Sequence, residues 1–572
     1  MDVDTSLIKY NERSFVPKEF KLSTWETLEP FYKDLAERDI STQELFEKWI
    51  KDWDELYAVV SEDMRWKYIK TSIDTTDVKA KSALEDFYVN LDPKMKPWEN
   101  KLQKEFNASK LKENLSPDFI NFKRGIANDL ALFNEKNIEL SKELSLLENK
   151  YAEITGSWSI THKGKELTMP QAVKFMRDTD RNVREEVYML SREREIQDAA
   201  TLDQLLSDLI AIRHQIALNA GYSNYRDYKF DEMHRFDYDA KDCEAFHKST
   251  ASAIIPLLKV IDKQRKSDLK VTDLKPWDMS VDAFQRNPLQ PFAVTAEFVD
   301  KTVECFNKLD PYFGACIANM YETGKLDLES RKGKAPGGYM MAMPESGIPF
   351  IFMNHASSEG DVRVMVHEGG HAIHSYLAHA LKYASMRQTP SEVAELASMS
   401  MELFSLENWE SFYPDTEDLN RAKKNHLEGL LKILPSVAKG DAFQHWMYTN
   451  PAHSIVERHA KWAALNEIYG SGVVDNAGLE NFTEVGYQGI LHFYQVPFYY
   501  IEYGFAQLGA IAMWRNFKKD PKKAVQDYSN ALRLGYTKTI PEIYKTAGIK
   551  FDFSEEYVRD LAIFVKLELE KL

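Results

Sequence analysis

"DVRVMVHEGGHAIHSYLA", residues 361–378, places His367, His371 and His374 within eight positions of a 572-residue chain that holds 14 histidines in all. Glu368 follows the first of them directly. Val364, Met365, Ala372 and Tyr376 supply apolar packing at helical spacing, so the stretch reads as an α-helix, with Asp361 as the expected N-cap. Residues four apart on a helix stand one turn above each other on the same face. His367 and His371 can therefore converge on one small ion, at the roughly 2.0–2.1 Å that zinc takes from imidazole. Glu368 then falls beside the place where a water on that ion would lie. This is the HExxH spacing, and its chemistry is metal-assisted hydrolysis with the glutamate as general base. His374 is not expected to be a ligand. Histidines on three successive turns spread along ~10 Å of helix axis, too far to close on one tetrahedral ion. His379 reads as a helix-end or surface histidine. Gly369 and Gly370 each cost about 1 kcal/mol against alanine in a helix. They imply either a close approach of backbone or substrate, or a packing constraint.

A third ligand is expected from the next helix, "TPSEVAELASMSMELFSLENW", residues 389–409. Thr389 or Ser391 is the expected cap, with Pro390 in the first turn. Glu392, Glu395, Met399 and Glu402 share one face by their three- and four-residue steps. Spacing alone does not choose between Glu392 and Glu395. The one left over, or Glu402, is placed to hydrogen-bond a ligand histidine.

Helical periodicity dominates the rest of the chain. Ile138, Leu144, Leu147 and Tyr151 lie close to one face, and similar patterns recur at 24–60, 200–220, 295–322, 417–440 and 551–571. Strand signals are few. Residues 157–168 read as a hairpin turning at Lys163-Gly164, and 337–355 as two strands joined around Pro344 to Gly347. The expected fold is mainly α, with a small β-sheet near the metal-binding helix. A composition shift near 155–170 predicts an N-terminal helical region, 1–155, and a catalytic region, 156–572. The latter contains the hairpin 337–353, the metal helices 361–409 and an aromatic segment 485–515. The stretch 337–343 reads either as a plain buried hairpin or as an edge strand able to pair with an extended peptide, with Gly337 and Gly338 admitting it beside Tyr339.

Apolar residues make up 44% and charged residues 28%, as in an ordinary globular protein. The formal net charge of −16 argues against a nucleic-acid partner, which would call for basic surface. Three cysteines, Cys243, Cys305 and Cys316, imply no disulfide framework and fit a reducing compartment. The opening "MDVDTSLIKYNERSF" has no basic and apolar leader pattern, so no signal peptide is expected. The apolar "FAQLGAIAMW", 505–514, is too short to span a bilayer, so no membrane partner is expected. A cytoplasmic setting follows as the default.

Beyond these readings the chain resembles the oligoendopeptidase F branch of the thimet oligopeptidase family of zinc peptidases. The resemblance rests on "KAPGGYMMAMPESGIPFIFMNH" (334–355), "VMVHEGGHAIHS" (364–375), "SEVAELASM" (391–399), "DAFQHWMYTNPAHSIVERHAKW" (441–462) and "HFYQVPFYYIEYGFAQLGA" (492–510). It implies a large helical ellipsoid with a deep central cleft and one zinc ion per chain on the cleft floor. The third ligand would be Glu395. The activity implied is hydrolysis of internal bonds of short peptides, with folded proteins excluded by the narrow cleft. It also implies that a histidine and two tyrosines contact the substrate and its oxyanion. His492, Tyr500 and Tyr503 match these best. Their offset differs by a residue from the thimet branch, which makes Tyr499 the alternative to Tyr500. Two other readings differ in chemistry. A zinc carboxypeptidase or dipeptidase would need a cation for the terminal carboxylate, for which Arg387 is the candidate. A non-catalytic, zinc-containing peptide-binding scaffold would have no use for Glu368. The sequence carries no reading of the oligomeric state.

Overall fold

The computed structural model describes Leu7 and residues 13–572. Most of the opening stretch, on which the absence of a leader pattern is read, therefore lies outside the described residues. Helix accounts for 69% of the structure and the sheets are small, as the periodicity predicts. The helices used below, numbered in chain order, are α1 (Ala240–Ala253), α2 (Thr295–Leu309), α3 (Glu359–Ala378), α4 (Ser391–Leu406), α5 (Thr416–Thr449) and α6 (Tyr500–Lys519).

The first sheet is the expected hairpin, β1 (Ser159–His162) and β2 (Lys165–Thr168), paired antiparallel. Lys163 and Gly164 both take positive φ, 50° and 75°, as a two-residue turn matched to the strand twist requires. The second sheet holds β3 (Leu326–Glu329), β4 (Tyr339–Met341) and β5 (Phe350–His355) in the order β3-β5-β4. β4 is antiparallel to β5 and lies at the edge, as one of the two readings of this stretch has it. β3, parallel to β5, is a strand the sequence reading does not contain. Phe350 and Phe352 of β5 pack with Ile69 and Met343 in one apolar cluster.

Two expected caps differ. The N-cap of α3 is Ser358, and Asp361 stands three residues later as its capping-box partner, with Oδ2 accepting from the Ser358 N–H at 2.7 Å and the Ala356 N–H at 2.9 Å. Neither Thr389 nor Ser391 caps α4. Its N-cap is Pro390, whose carbonyl accepts from both Val393 and Ala394 at 3.0 Å.

The chain forms two compact units that do not follow chain order. Unit 1 takes the residues up to Leu130, then Leu289–Lys423 and Ala506–Phe551. Unit 2 takes Ala131–Pro288, Lys424–Phe505 and Asp552–Leu572. The division expected near residue 155 falls inside unit 2. No helix among the described residues is long and apolar enough to cross a membrane.

Candidate metal centre

Within unit 1, α3 carries the two histidines and packs against α4, which carries the carboxylates. His367 Nε2 lies 3.4 Å from Glu395 Oε2, and His371 Nε2 lies 3.9 Å from the same oxygen. One donor atom from each of the three residues falls within 4.8 Å of the others. Ligands at ~2.0–2.1 Å on a tetrahedral ion stand about 3.3 Å apart, so this donor set fits zinc. Glu392 is buried on the same helix but is no member of the group. Geometry thus groups Glu395, and not Glu392, with the two histidines.

Each donor is held from behind. His367 Nδ1 is 2.7 Å from Glu402 Oε1, which orients the ring and turns its other nitrogen to the site. Ser398 Oγ donates to Glu395 Oε2 at 3.2 Å. His371 hydrogen-bonds the Ala394 backbone. Burial acts to lower the His367 pKa, but the hydrogen bond and charge of Glu402, with the charges of Glu395 and Glu368, outweigh it and raise the group to about 9. The acids around this histidine favour positive charge there, which a divalent cation also supplies. Burial, the larger effect, lifts Glu368 to about 7, while His367 and a hydrogen bond from the Met340 backbone oppose the rise. Met340 lies on β4, so the carboxyl beside the histidines also meets the edge strand.

The adjacent glycines Gly369 and Gly370 of α3 are explained by packing. A Cβ at Gly370 would stand 2.7 Å from the Ser398 Cα and 2.9 Å from the Ala397 carbonyl oxygen, both on the backbone of α4. A Cβ at Gly369 would stand 2.7 Å from the Phe306 ring of α2. A side chain at Gly370 would push away α4, which carries Glu395, whereas one at Gly369 would push against α2.

The other expected site residues fall as follows. Gly337 has φ +95°, a left-handed value that favours glycine, with open space beside it. At Gly338 a Cβ would meet the Phe352 carbonyl oxygen at 3.3 Å, so this glycine also serves packing against β5. The Tyr339 ring stacks on Phe352 at 5.0 Å and is engaged within the sheet. His374 is buried and in neither metal group among the described residues, and burial lowers its pKa to about 4. His379 is not a surface residue. It caps the C-terminus of α3, is buried, and its Nδ1 lies 3.0 Å from Arg387 Nη1. Arg387 also donates to the Pro344 and Leu381 carbonyls at 2.9 and 2.6 Å.

In unit 2, His492, Tyr499, Tyr500 and Tyr503 form one cluster. The His492 ring lies 6.1, 4.8 and 6.0 Å from those of Tyr499, Tyr500 and Tyr503. All four are half-buried, while Phe493, Tyr494, Phe498 and Ile501 between them are buried. The core therefore takes Phe493, Phe498 and Ile501, and Tyr494 with its hydroxyl donating to the Leu202 carbonyl, and leaves the other four rings reachable. Burial lowers the His492 pKa. Phe498 takes φ +67°, costly for an aromatic residue, and is held there by its N–H donating to Gln444 Oε1 at 2.6 Å and its carbonyl accepting from Arg235. This bend starts α6 and directs its first tyrosines.

The description "Peptidase family M3" matches residues 174–563, and "Peptidase M3 N-terminal domain" matches 15–123. The chain is 22% identical to Oligopeptidase PepF of Bacillus subtilis (strain 168) over 307 residues, which are 52% of this chain and 44% of that protein, so it spans less than half of that relative. It is 22% identical to an Oligoendopeptidase F homolog of Borreliella burgdorferi over 506 residues, 84% of this chain and 80% of the relative. The solved structure of PZ peptidase A with an inhibitor superposes with a TM-score of 0.88 at 25% identity, covering 97% of this chain and 99% of the other. With the family description covering well over half of its length, the chain belongs to peptidase family M3.

Proposed function

We propose that this protein is a zinc-dependent endopeptidase that cuts internal bonds of short peptides, with one zinc ion at this centre. The observation that carries the reading is the convergence of His367, His371 and Glu395, with the Glu368 carboxyl between that group and the backbone of edge strand β4. Zinc bound by these three groups supplies Lewis-acid polarisation and an acidified water.

The chain's own residues do the rest. An extended peptide pairs with the open side of β4 by strand addition, which brings a scissile carbonyl alongside Glu368. Glu368 takes a proton from the attacking water and passes it to the departing amine nitrogen as the C–N bond breaks. Glu402 and Ser398 keep His367 and Glu395 in orientation. We assign stabilisation of the charge on the carbonyl oxygen to His492, Tyr500 and Tyr503, with Tyr499 as the alternative to Tyr500. The family resemblance and the reachability of these four rings support that assignment. A cytoplasmic setting is supported by three buried cysteines, none in a disulfide.

The exopeptidase reading is disfavoured because Arg387, its candidate carboxylate holder, donates to two backbone carbonyls and lies against His379. A scaffold is disfavoured by a buried carboxyl beside the donors that completes no ligand set. Fluorogenic peptides blocked at both ends decide among them. An endopeptidase cuts them, an exopeptidase cuts only the unblocked form, and a scaffold cuts neither.

A further inference from the structure

We infer that unit 2 contains a second metal site, formed by Cys243 of α1 with Asp441 and His445 of α5, for a borderline divalent cation of the zinc or cobalt type. One donor atom from each of these residues lies within 4.8 Å of the others. Cys243 and Asp441 are 0% exposed and His445 is 7% exposed. Asp441 and His445 are four apart on one helix, and so are Cys243 and His247 on the other. Each helix therefore turns a metal-ligand pair toward its neighbour from one face.

Hydrogen bonding separates this cluster from a satisfied core network. Asp441 Oδ2 accepts from His247 Nε2 at 2.8 Å. Asp441 Oδ1 has no hydrogen-bond partner, and neither ring nitrogen of His445 has one. His445 Nε2 approaches Asp441 Oδ2 to 3.2 Å but lies outside hydrogen-bond geometry. Buried polar atoms are rarely left so, and a buried carboxylate is costly unless compensated. A cation among Cys243 Sγ, Asp441 and a His445 nitrogen satisfies them together. His247 then acts as a positioning residue that fixes the carboxylate, in the way a hydrogen-bonded partner orients a metal ligand.

The donor set points to the class of ion. A thiolate with an imidazole selects zinc-like ions over magnesium or calcium, which take oxygen ligands. The ring centroids of Phe230 and Phe498 lie 5.9 and 5.6 Å from that of His445, in edge-to-face contact, and form apolar walls. Three protein ligands are one fewer than a closed structural zinc site uses, so one position stays exchangeable. Burial of all three ligands gives the ion the role of tying α1 to α5.

The site is independent of the peptidase centre, whose donors include no sulfur, and cobalt exploits that difference. The full-length chain, stripped with chelator and titrated with Co2+ alone, should bind two ions and develop a thiolate-to-cobalt charge-transfer band. His371→Ala should lower the count by one and keep the band. Cys243→Ser should lower the count by one and abolish it. A wild-type chain that binds its cobalt without the band, or a band that survives Cys243→Ser, overturns the inference. The wild-type measurement decides by itself if the serine variant does not fold. A peptidase centre that proved inactive would leave this result unaffected.

Discussion

His367 Nδ1 is held 2.7 Å from Glu402 Oε1, and the opposite nitrogen of the same ring faces Glu395 Oε2 at 3.4 Å. One carboxylate thus orients the histidine, and under the proposed function the other would share its ion, although both lie on α4. Their losses should differ in size. Glu395→Ala removes a ligand and should abolish tight zinc binding. Glu402→Gln leaves the ligand set intact and should weaken affinity about 10–100-fold. Glu392→Ala should leave zinc binding near wild type. Competition with a chelator of known zinc affinity gives the ranking, and equal retention in the three variants contradicts it.

Gly370 should not accept a side chain. Helix propensity alone would reward Gly370→Ala by about 1 kcal/mol. Contact with the Ser398 and Ala397 backbone should reverse the sign, since overpacking costs about 1–3 kcal/mol. Gly369→Ala meets a phenylalanine ring, which can shift more readily than backbone, and should cost less. Urea midpoints of the two variants test this, and a stabilised Gly370→Ala would refute the packing explanation.

The tyrosine cluster yields a kinetic prediction. If the Tyr503 hydroxyl donates to the oxyanion, Tyr503→Phe should lower kcat about 10²–10³-fold with KM nearly unchanged. A ring that only packs would leave kcat within a few-fold. A hydroxyl that binds only ground-state peptide would raise KM instead. Tyr499→Phe and Tyr500→Phe, assayed on the same blocked peptide, identify the partner donor.

Much of the site was legible because its chemistry is local. The four-residue step from His367 to His371 carries the metal motif, and the positive-φ pair Lys163-Gly164 carries the hairpin. What escaped depends on contacts distant in sequence. β3 exists only as the parallel partner of β5, and nothing within 326–329 announces it. Asp361 is a good capping residue in its own right, and only the Ser-x-x-Asp spacing assigns the N-cap to Ser358 and the reciprocal bond to Asp361. Spacing offers Glu402 only as one of two candidate partners for a ligand histidine, and the crossing of α3 and α4 sets it against His367. Cys243 and Asp441 meet across nearly two hundred residues, so neither helix read alone suggested a cluster. The compact units interleave along the chain, and a composition shift near residue 155 is blind to that.

Glu368→Gln tests the central claim most directly. The change is nearly isosteric and removes the base while leaving the three ligands in place. Turnover of a doubly blocked peptide should fall about 10²–10⁴-fold, with the zinc content of this centre unchanged. Activity above a tenth of wild type, or loss of that zinc, would contradict the role assigned to Glu368.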